Sequence, residues 1–172
     1  IDLIFDLCWF YNKQSTTTAG KIIETFETAY KDNGVDHFLI DSLTYCGVDV
    51  YKYKDFFVSL RNFTKIYNAQ IHLIAHCTPK NYMFVPGKLD IIGRLVYIFD
   101  NTITIWRNKR KEKGEISPEY DCMLHYYKQK DYEWEGAATL YFDKDSQQYL
   151  LNQNDKPKCY CDIVAKVKAV NL

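Results

Sequence analysis

The sequence predicts an α/β fold in which a mostly parallel sheet is flanked by helices and carries an antiparallel hairpin extension at its carboxyl end. Short apolar runs alternate with two amphipathic segments of helical period over residues 7–76. Helical connections of that length join parallel strands by right-handed crossovers, and such strands are expected to be buried on both faces. Shorter apolar runs separated by turn residues follow after residue 100, which is typical of hairpins.

The first half of the chain is predicted to form strand, helix, strand, helix and strand. Its first helix begins after the Ser/Thr cluster at 15–18, which supplies N-cap residues, and ends at Asn33-Gly34. A second helix covers 54–67, with aromatic residues at helical spacing on one side. The predicted strands are the apolar runs at 7–11, 38–40 and 71–75.

The second half has a different pattern. Residues 77–90 contain Pro, Gly and Lys without periodicity and are predicted to form a long exposed loop. A strand over 102–106 precedes a charged, solvated turn over 107–115. Hairpin strands at the edge of the sheet are predicted over 121–128, 137–142 and 148–151. No internal repeat or low-complexity linker interrupts the chain, so residues 1–172 are expected to belong to a single, partial domain.

The net charge argues against a nucleic-acid site that depends on bulk electrostatics. The 22 Lys and Arg residues match the 22 Asp and Glu residues, so any such site must be a local basic patch.

The cysteines do not predict a metal site or a disulfide framework. Cys159 and Cys161 form a C-x-C pair with no second pair at zinc-finger spacing and no nearby His. No apolar stretch approaches the ~20 residues that a membrane helix needs. These features lead us to expect a reducing, cytoplasmic location.

Polar side chains follow two of the predicted parallel strands. Asp41 comes directly after the apolar run Phe38-Leu39-Ile40, and His76 comes directly after the next strand. Open α/β sheets bind ligands at the carboxyl ends of their strands, and a nucleotide's Mg²⁺ needs a carboxylate there to hold its waters. Asp41 is therefore a candidate Mg²⁺ residue, although many buried strands end in an Asp that only caps a helix.

The sequence contains no phosphate-binding loop of the form G-x-x-x-x-G-K-[ST]. The nearest match is the segment 17–22, which lacks the first Gly and the Ser or Thr after the Lys. Gly20-Lys21 is interpreted as the entry to a helix.

The order of these motifs resembles the carboxyl half of the RecA-like ATPase domain of hexameric replicative DNA helicases, a family with DnaB-like, Twinkle-like and phage primase–helicase members. The resemblance covers about residues 5–151. It rests on the order and spacing of segments 37–43, 71–76, 90–93, 99–109, 127–136 and 140–143.

The resemblance implies ATP and Mg²⁺ as cofactors. Asp41 would be the Walker-B carboxylate that holds Mg²⁺ through water, and His76 would sense the γ-phosphate. Arg107 would pack on the adenine, opposed by Phe142 from the last strand.

The resemblance also implies partners. Lys128 and Lys130 would project toward the nucleotide of a neighbouring subunit in a hexameric ring, and Lys80 and Lys88 would face single-stranded DNA in the channel of that ring. A fused primase domain or a separate primase would be a further partner. The location would be the cytoplasm of a bacterial or phage-infected cell.

Several positions depart from the family pattern. Lys130 occupies the arginine-finger position, which keeps the charge but loses the planar guanidinium. The segment 93–100 is about two residues short and lacks the family's Gln sensor. A degenerate RecA-fold module that serves only assembly or partner binding therefore remains an alternative. A recombinase or clock-type ATPase of the same fold is a third, and a solvated hairpin turn is the plain interpretation of Lys128 and Lys130.

Overall fold

The computed structural model describes residues 17–77, 93–115, 119–131 and 134–158. The chain divides into two compact units. The first unit comprises Ile1–Thr78 and Leu89–Phe99, and the second comprises Pro79–Lys88 and Asp100–Leu172. The predicted strand over 7–11, the lysines at 80 and 88, and the C-x-C pair all lie outside the described residues.

The first unit begins with helix α1, Ala19–Asn33, whose two ends are those that the sequence predicts. The Thr18 hydroxyl accepts a hydrogen bond from the backbone N–H of Lys21 at 3.3 Å. Gly34 ends the helix in the left-handed conformation, with φ of 68°, and its N–H donates to the carbonyl of Tyr30 at 3.0 Å. Within the described part of the chain, no helix combines the length and the apolar character that crossing a membrane would require.

Two parallel strands and a second long helix complete the predicted βαβ unit. Strand β1 is His37–Asp41, helix α2 is Tyr53–Tyr67 and strand β2 is Gln70–Ile74. The strands pair in register from His37 opposite Gln70 to Asp41 opposite Ile74. Short 3-10 turns at Leu43–Tyr45 and Val50–Lys52 link β1 to α2, and another follows at Gly93–Ile98.

The core of the first unit lies on one face of this strand pair. Phe38 and Ile40 are buried against apolar residues of both helices, which include Ile22, Phe56, Phe57, Leu60 and Phe63. On the opposite face, Leu39 is 64% exposed and Ile74 is 40% exposed. Burial on both faces, which the continuous apolar runs predict, is therefore not observed in the described residues, because both helices pack on the same side.

The second unit is built on an antiparallel sheet. Its strands are β3 (Asn101–Arg107), β4 (Cys122–Gln129), β5 (Gly136–Asp143) and β6 (Gln148–Leu150). They lie in the order β3-β4-β5-β6. The α/β class is confirmed, as are the positions of the predicted strands that fall within the described residues, but the mostly parallel sheet is not seen among the described strands. There, only β1 and β2 pair in parallel.

Asn108 closes the connection between β3 and β4. It is fully buried and follows β3 directly. Its backbone N–H donates to the carbonyl of Asp121 at 2.8 Å, and its side-chain amide donates to the carbonyl of Tyr120 at 2.9 Å. These bonds join the two ends of a connection whose described part contains the short helix α3, Lys109–Glu112. The segment that the sequence predicts to be a charged turn is thus a closed loop, and Arg107 belongs to the strand before it.

Gly47 and Gly34 provide a test of the packing in the first unit. Both have positive φ, but a Cβ on Gly47 would lie 2.3 Å from the carbonyl oxygen of Thr17, whereas a Cβ on Gly34 would meet nothing within 4 Å. We expect Gly34→Ala to lower the free energy of unfolding by about 1–2 kcal/mol, the usual cost of a left-handed alanine. Gly47→Ala should lower it further, because a backbone atom must move. Urea denaturation measures the free energy of unfolding of both variants. Equal decreases would contradict the steric clash expected at Gly47.

Candidate functional site

Asp41 and His76 lie at the same edge of the first unit. Asp41 is the last residue of β1 and is paired with Ile74, the last residue of β2. His76 follows Ile74 by two residues, and both Asp41 and His76 are exposed. Since parallel strands end at a common edge, the structure places both predicted site residues at the carboxyl ends of the strands. Their roles toward Mg²⁺ and phosphate stay predictions.

Hydrogen bonds to the carbonyl of a buried residue hold the turn after Asp41. Ser42 is 1% exposed, and its carbonyl accepts hydrogen bonds from the Tyr45 N–H at 3.0 Å and from the Cys46 thiol at 3.6 Å. Burial raises the pKa of that thiol. The short helix that follows has Ser42, not Asp41, at its N-cap. The interpretation of Asp41 as a helix cap is therefore not supported. Asp41 itself is exposed, and the next residue, Ser42, is buried.

Asp41 presents a single exposed carboxylate at this edge. Within the described residues, no cluster of three or more His, Cys, Asp or Glu side chains is arranged to hold a metal ion. Mg²⁺ commonly keeps several waters and binds through one or two carboxylates together with substrate phosphates. A single exposed carboxylate fits that kind of site and does not fit a closed metal cage.

A cleft of about 810 Å³ lies in the second unit, where β3, β5 and β6 end. Arg107 from β3 and Phe142 from β5 both line it. Tyr149 of β6 pairs with Phe142 across the hairpin, and the two ring centroids are 5.0 Å apart. The structure thus brings together the two residues that the sequence predicts to contact adenine, although 34 positions lie between them in the chain.

Glu112 holds the Arg107 side chain at this cleft. The Nη2 atom of Arg107 donates to Oε2 of Glu112 at 3.0 Å, and Nε donates to Oε1 of the same carboxylate. This two-bond pairing raises the pKa of Arg107. The Arg107 side chain nevertheless remains 65% exposed.

Asp121 connects the other walls of the cleft. Its carboxylate accepts a hydrogen bond from the Phe142 N–H at 2.9 Å and forms an ion pair with the Lys111 ammonium at 2.8 Å. The same ammonium lies 5.9 Å from the ring centre of Tyr141. Burial raises the pKa of the Tyr149 hydroxyl. The cleft therefore combines aromatic rings with paired charges.

Lys128 and Lys130 lie at the far end of β4. Lys128 is opposite Thr102, and the register shifts next to this pair, so that Tyr127 is an extra residue in β4. The Lys130 N–H donates to the side-chain oxygen of Asn101 at 3.2 Å, and its ammonium lies 3.5 Å from Asp100. These contacts fit an exposed hairpin end as well as a site that reaches a neighbour. The role in trans stays a prediction, as does DNA contact by the two lysines outside the described residues.

The sequence does not single out Glu112 or Tyr149. Glu112 stands in a run of basic residues, five positions after Arg107, a spacing that no regular helix or strand brings together. Tyr149 offers a better signal. A four-residue turn at 144–147 joins the two predicted hairpin strands, and that register places Tyr149 opposite Phe142.

Comparisons with known proteins agree with the α/β fold. No protein-family model matches the sequence, and no curated protein is significantly similar to it. Among solved structures, the chain is similar to one described as an ATPase domain, with a TM-score of 0.64 and 12% sequence identity. The similarity covers 80% of this chain and 52% of that chain. At this identity the similarity shows a likeness of fold alone, and this chain spans about half of that chain's length.

Proposed function

We propose that this chain is the carboxyl half of the RecA-like ATPase core of a ring-forming replicative DNA helicase. The fold similarity to an ATPase domain supports the nucleotide-binding part of this proposal. The order of strand-end and hairpin residues, from Asp41 to Phe142, supports the helicase part.

The observation that carries the proposal is the cleft between Arg107 and Phe142. Guanidinium groups and aromatic rings both stack on nucleobases. Arg107 and Phe142 line the same cleft, whose volume is about 810 Å³. This volume lies within the range of about 300–1,000 Å³ that is common for ligand clefts. The sequence resemblance selects the same two residues independently of the cleft.

In this proposal the predicted site residues have the roles that the resemblance implies for them. Asp41 would hold the waters of Mg²⁺, and the bound ion would neutralise charge on the phosphates during hydrolysis. His76 would contact the γ-phosphate. Arg107 and Phe142 would bind the base.

The proposed partners follow from the family resemblance. Copies of the chain would assemble into a hexameric ring, with Lys128 and Lys130 directed at a neighbouring subunit's nucleotide. Lys80 and Lys88 would contact single-stranded DNA, and a primase domain or partner would accompany the helicase. The proposed location is the cytoplasm.

Titration of the chain with ATP tests the proposed site. We expect binding no tighter than about millimolar and no hydrolysis, because backbone N–H groups and the Lys of a phosphate-binding loop are missing from this sequence. NMR signals of cleft residues should shift on titration. Phe142→Ala should weaken binding about fivefold through the lost stacking surface, a loss of about 1 kcal/mol.

Leu151→Ala is the matched control. Leu151 follows β6 but is 67% exposed and does not line the cleft, so its loss should leave ATP binding unchanged. Shifts confined to residues outside the cleft would contradict the proposed base site. Complete absence of nucleotide binding would favour a module that serves only assembly.

A further inference from the structure

The charges around the cleft argue against a phosphate site at this position. Three basic side chains line it, from Arg107, Lys111 and Lys144, against four acidic ones, from Glu112, Asp121, Asp143 and Asp155. Phosphate sites need donors and positive charge that are not already neutralised. Arg107 is paired with the carboxylate of Glu112, and Lys111 is paired with that of Asp121.

The way in which Arg107 is paired decides which of its surfaces remains available. Glu112 uses the edge of the guanidinium, where the Nε and Nη2 hydrogens point. That edge is one of the two that can bind phosphate or carboxylate through two parallel hydrogen bonds, and Glu112 occupies it. The planar faces, which stack on aromatic rings, take no part in the pairing.

Glu112 is itself held in place by the loop that closes the hairpin. It ends the single helical turn α3, and its N–H donates to the carbonyl of Asn108 at 3.3 Å. Asn108 is fully buried and also accepts from the Lys111 N–H at 3.2 Å. A chain of contacts therefore runs from a buried side chain to the Arg107 guanidinium.

We propose that Glu112 is a positioning residue that holds one edge of Arg107, so that Arg107 meets a nucleobase with its planar face. This inference rests on the proposed nucleotide site. It specifies that the cleft binds the uncharged base and ribose of the nucleotide. Without Glu112, the 65%-exposed Arg107 side chain would sample many rotamers, and ordering it would oppose binding.

Adenosine, which has no phosphate, is the probe for this inference. In NMR titrations of the 172-residue chain, Glu112→Ala should weaken adenosine binding about fivefold or more. It should also remove the Arg107 Nε–H signal that the paired guanidinium protects from solvent. Glu112→Gln keeps an oxygen that accepts one of the two hydrogen bonds, so its affinity and its Nε–H signal should be intermediate. ADP should bind the parent chain within about twofold of adenosine, since the cleft has no net positive charge.

Glu115→Ala is the matched control. Glu115 pairs with Arg110 at 3.4 Å across the same five-residue spacing, and neither residue lines the cleft. Its loss should leave adenosine affinity unchanged. If the parent chain binds adenosine and both Glu112 variants bind it equally well or more tightly, the positioning role is wrong and the nucleotide site stands. If neither adenosine nor ATP shifts the cleft signals of the parent, the proposed site is wrong and the positioning role is overturned with it.

Discussion

Replacing Lys130 with Ala is expected to lower DNA-stimulated ATP turnover by about 10²-fold or more in a protein that joins this chain to a phosphate-binding loop. A trans-acting arginine contributes on the order of 10³–10⁵ in rate, and a Lys that acts as a point charge supplies part of that. Nucleotide binding should be nearly unaffected, because the ammonium would act on the transition state. Lys130→Arg should keep or raise the rate. Turnover of the three proteins at saturating single-stranded DNA measures the effect.

Asp100 provides the control for a purely local role. The Lys130 ammonium lies 3.5 Å from the Asp100 carboxylate, and both side chains are largely exposed. If Lys130 only stabilises the hairpin end, Asp100→Ala should reduce turnover as much as Lys130→Ala does. If Lys130 acts in trans, Asp100→Ala should leave most of the activity. Parental turnover in Lys130→Ala would show that the residue belongs to a solvated turn.

Replacing Phe57 with Ala is expected to lower the free energy of unfolding of the first unit by about 3–5 kcal/mol, the range for a large aromatic removed from a packed core. Phe57 is 1% exposed. Its ring centroid lies 5.0 Å from that of Phe99, 5.6 Å from that of Tyr53 and 6.0 Å from that of Phe56. The substitution therefore removes transfer free energy and leaves a cavity between rings that cannot collapse freely. Urea denaturation followed by circular dichroism measures the change.

Ile66→Ala is the control on the same helix. Ile66 is 73% exposed, so its truncation should change the free energy of unfolding by about 0.5 kcal/mol or less. A loss for Phe57→Ala that is no larger than this would contradict the assignment of the core to the helix-covered face of β1 and β2.

Local sequence signals predicted the helix ends and the strand pairing of the first unit, because these features depend on residues close together in the chain. The Thr18 cap and the left-handed Gly34 end α1 where the sequence predicts. The apolar run before Asp41 forms a strand, and the helix that follows forces its parallel pairing with β2. These features also placed Asp41 and His76 at one edge before any tertiary contact was known.

Burial within β3 was decided by tertiary packing. Its period-two pattern is visible in the sequence, but the buried side carries Thr102 and Thr104, while Ile103 and Ile105 are 49% and 71% exposed. The two Ile residues would assign the opposite side to the core, but Trp106 lies on the side of the two Thr residues and is buried there. Which face of a strand is covered depends on the elements that pack against it, and these are distant in sequence.

The sequence by itself determined the α/β class and the positions of the two long helices and of the described strands, and its family resemblance named Arg107 and Phe142 as candidate base contacts. Only the tertiary structure decided that β3 joins the predicted hairpin strands in one antiparallel sheet, where the bonds of Asn108 to Tyr120 and Asp121 close the connection to β4. It also decided that Glu112 holds Arg107. Both outcomes depend on side chains that come into contact when a loop closes. The spacing of residues in the sequence does not predict such contacts.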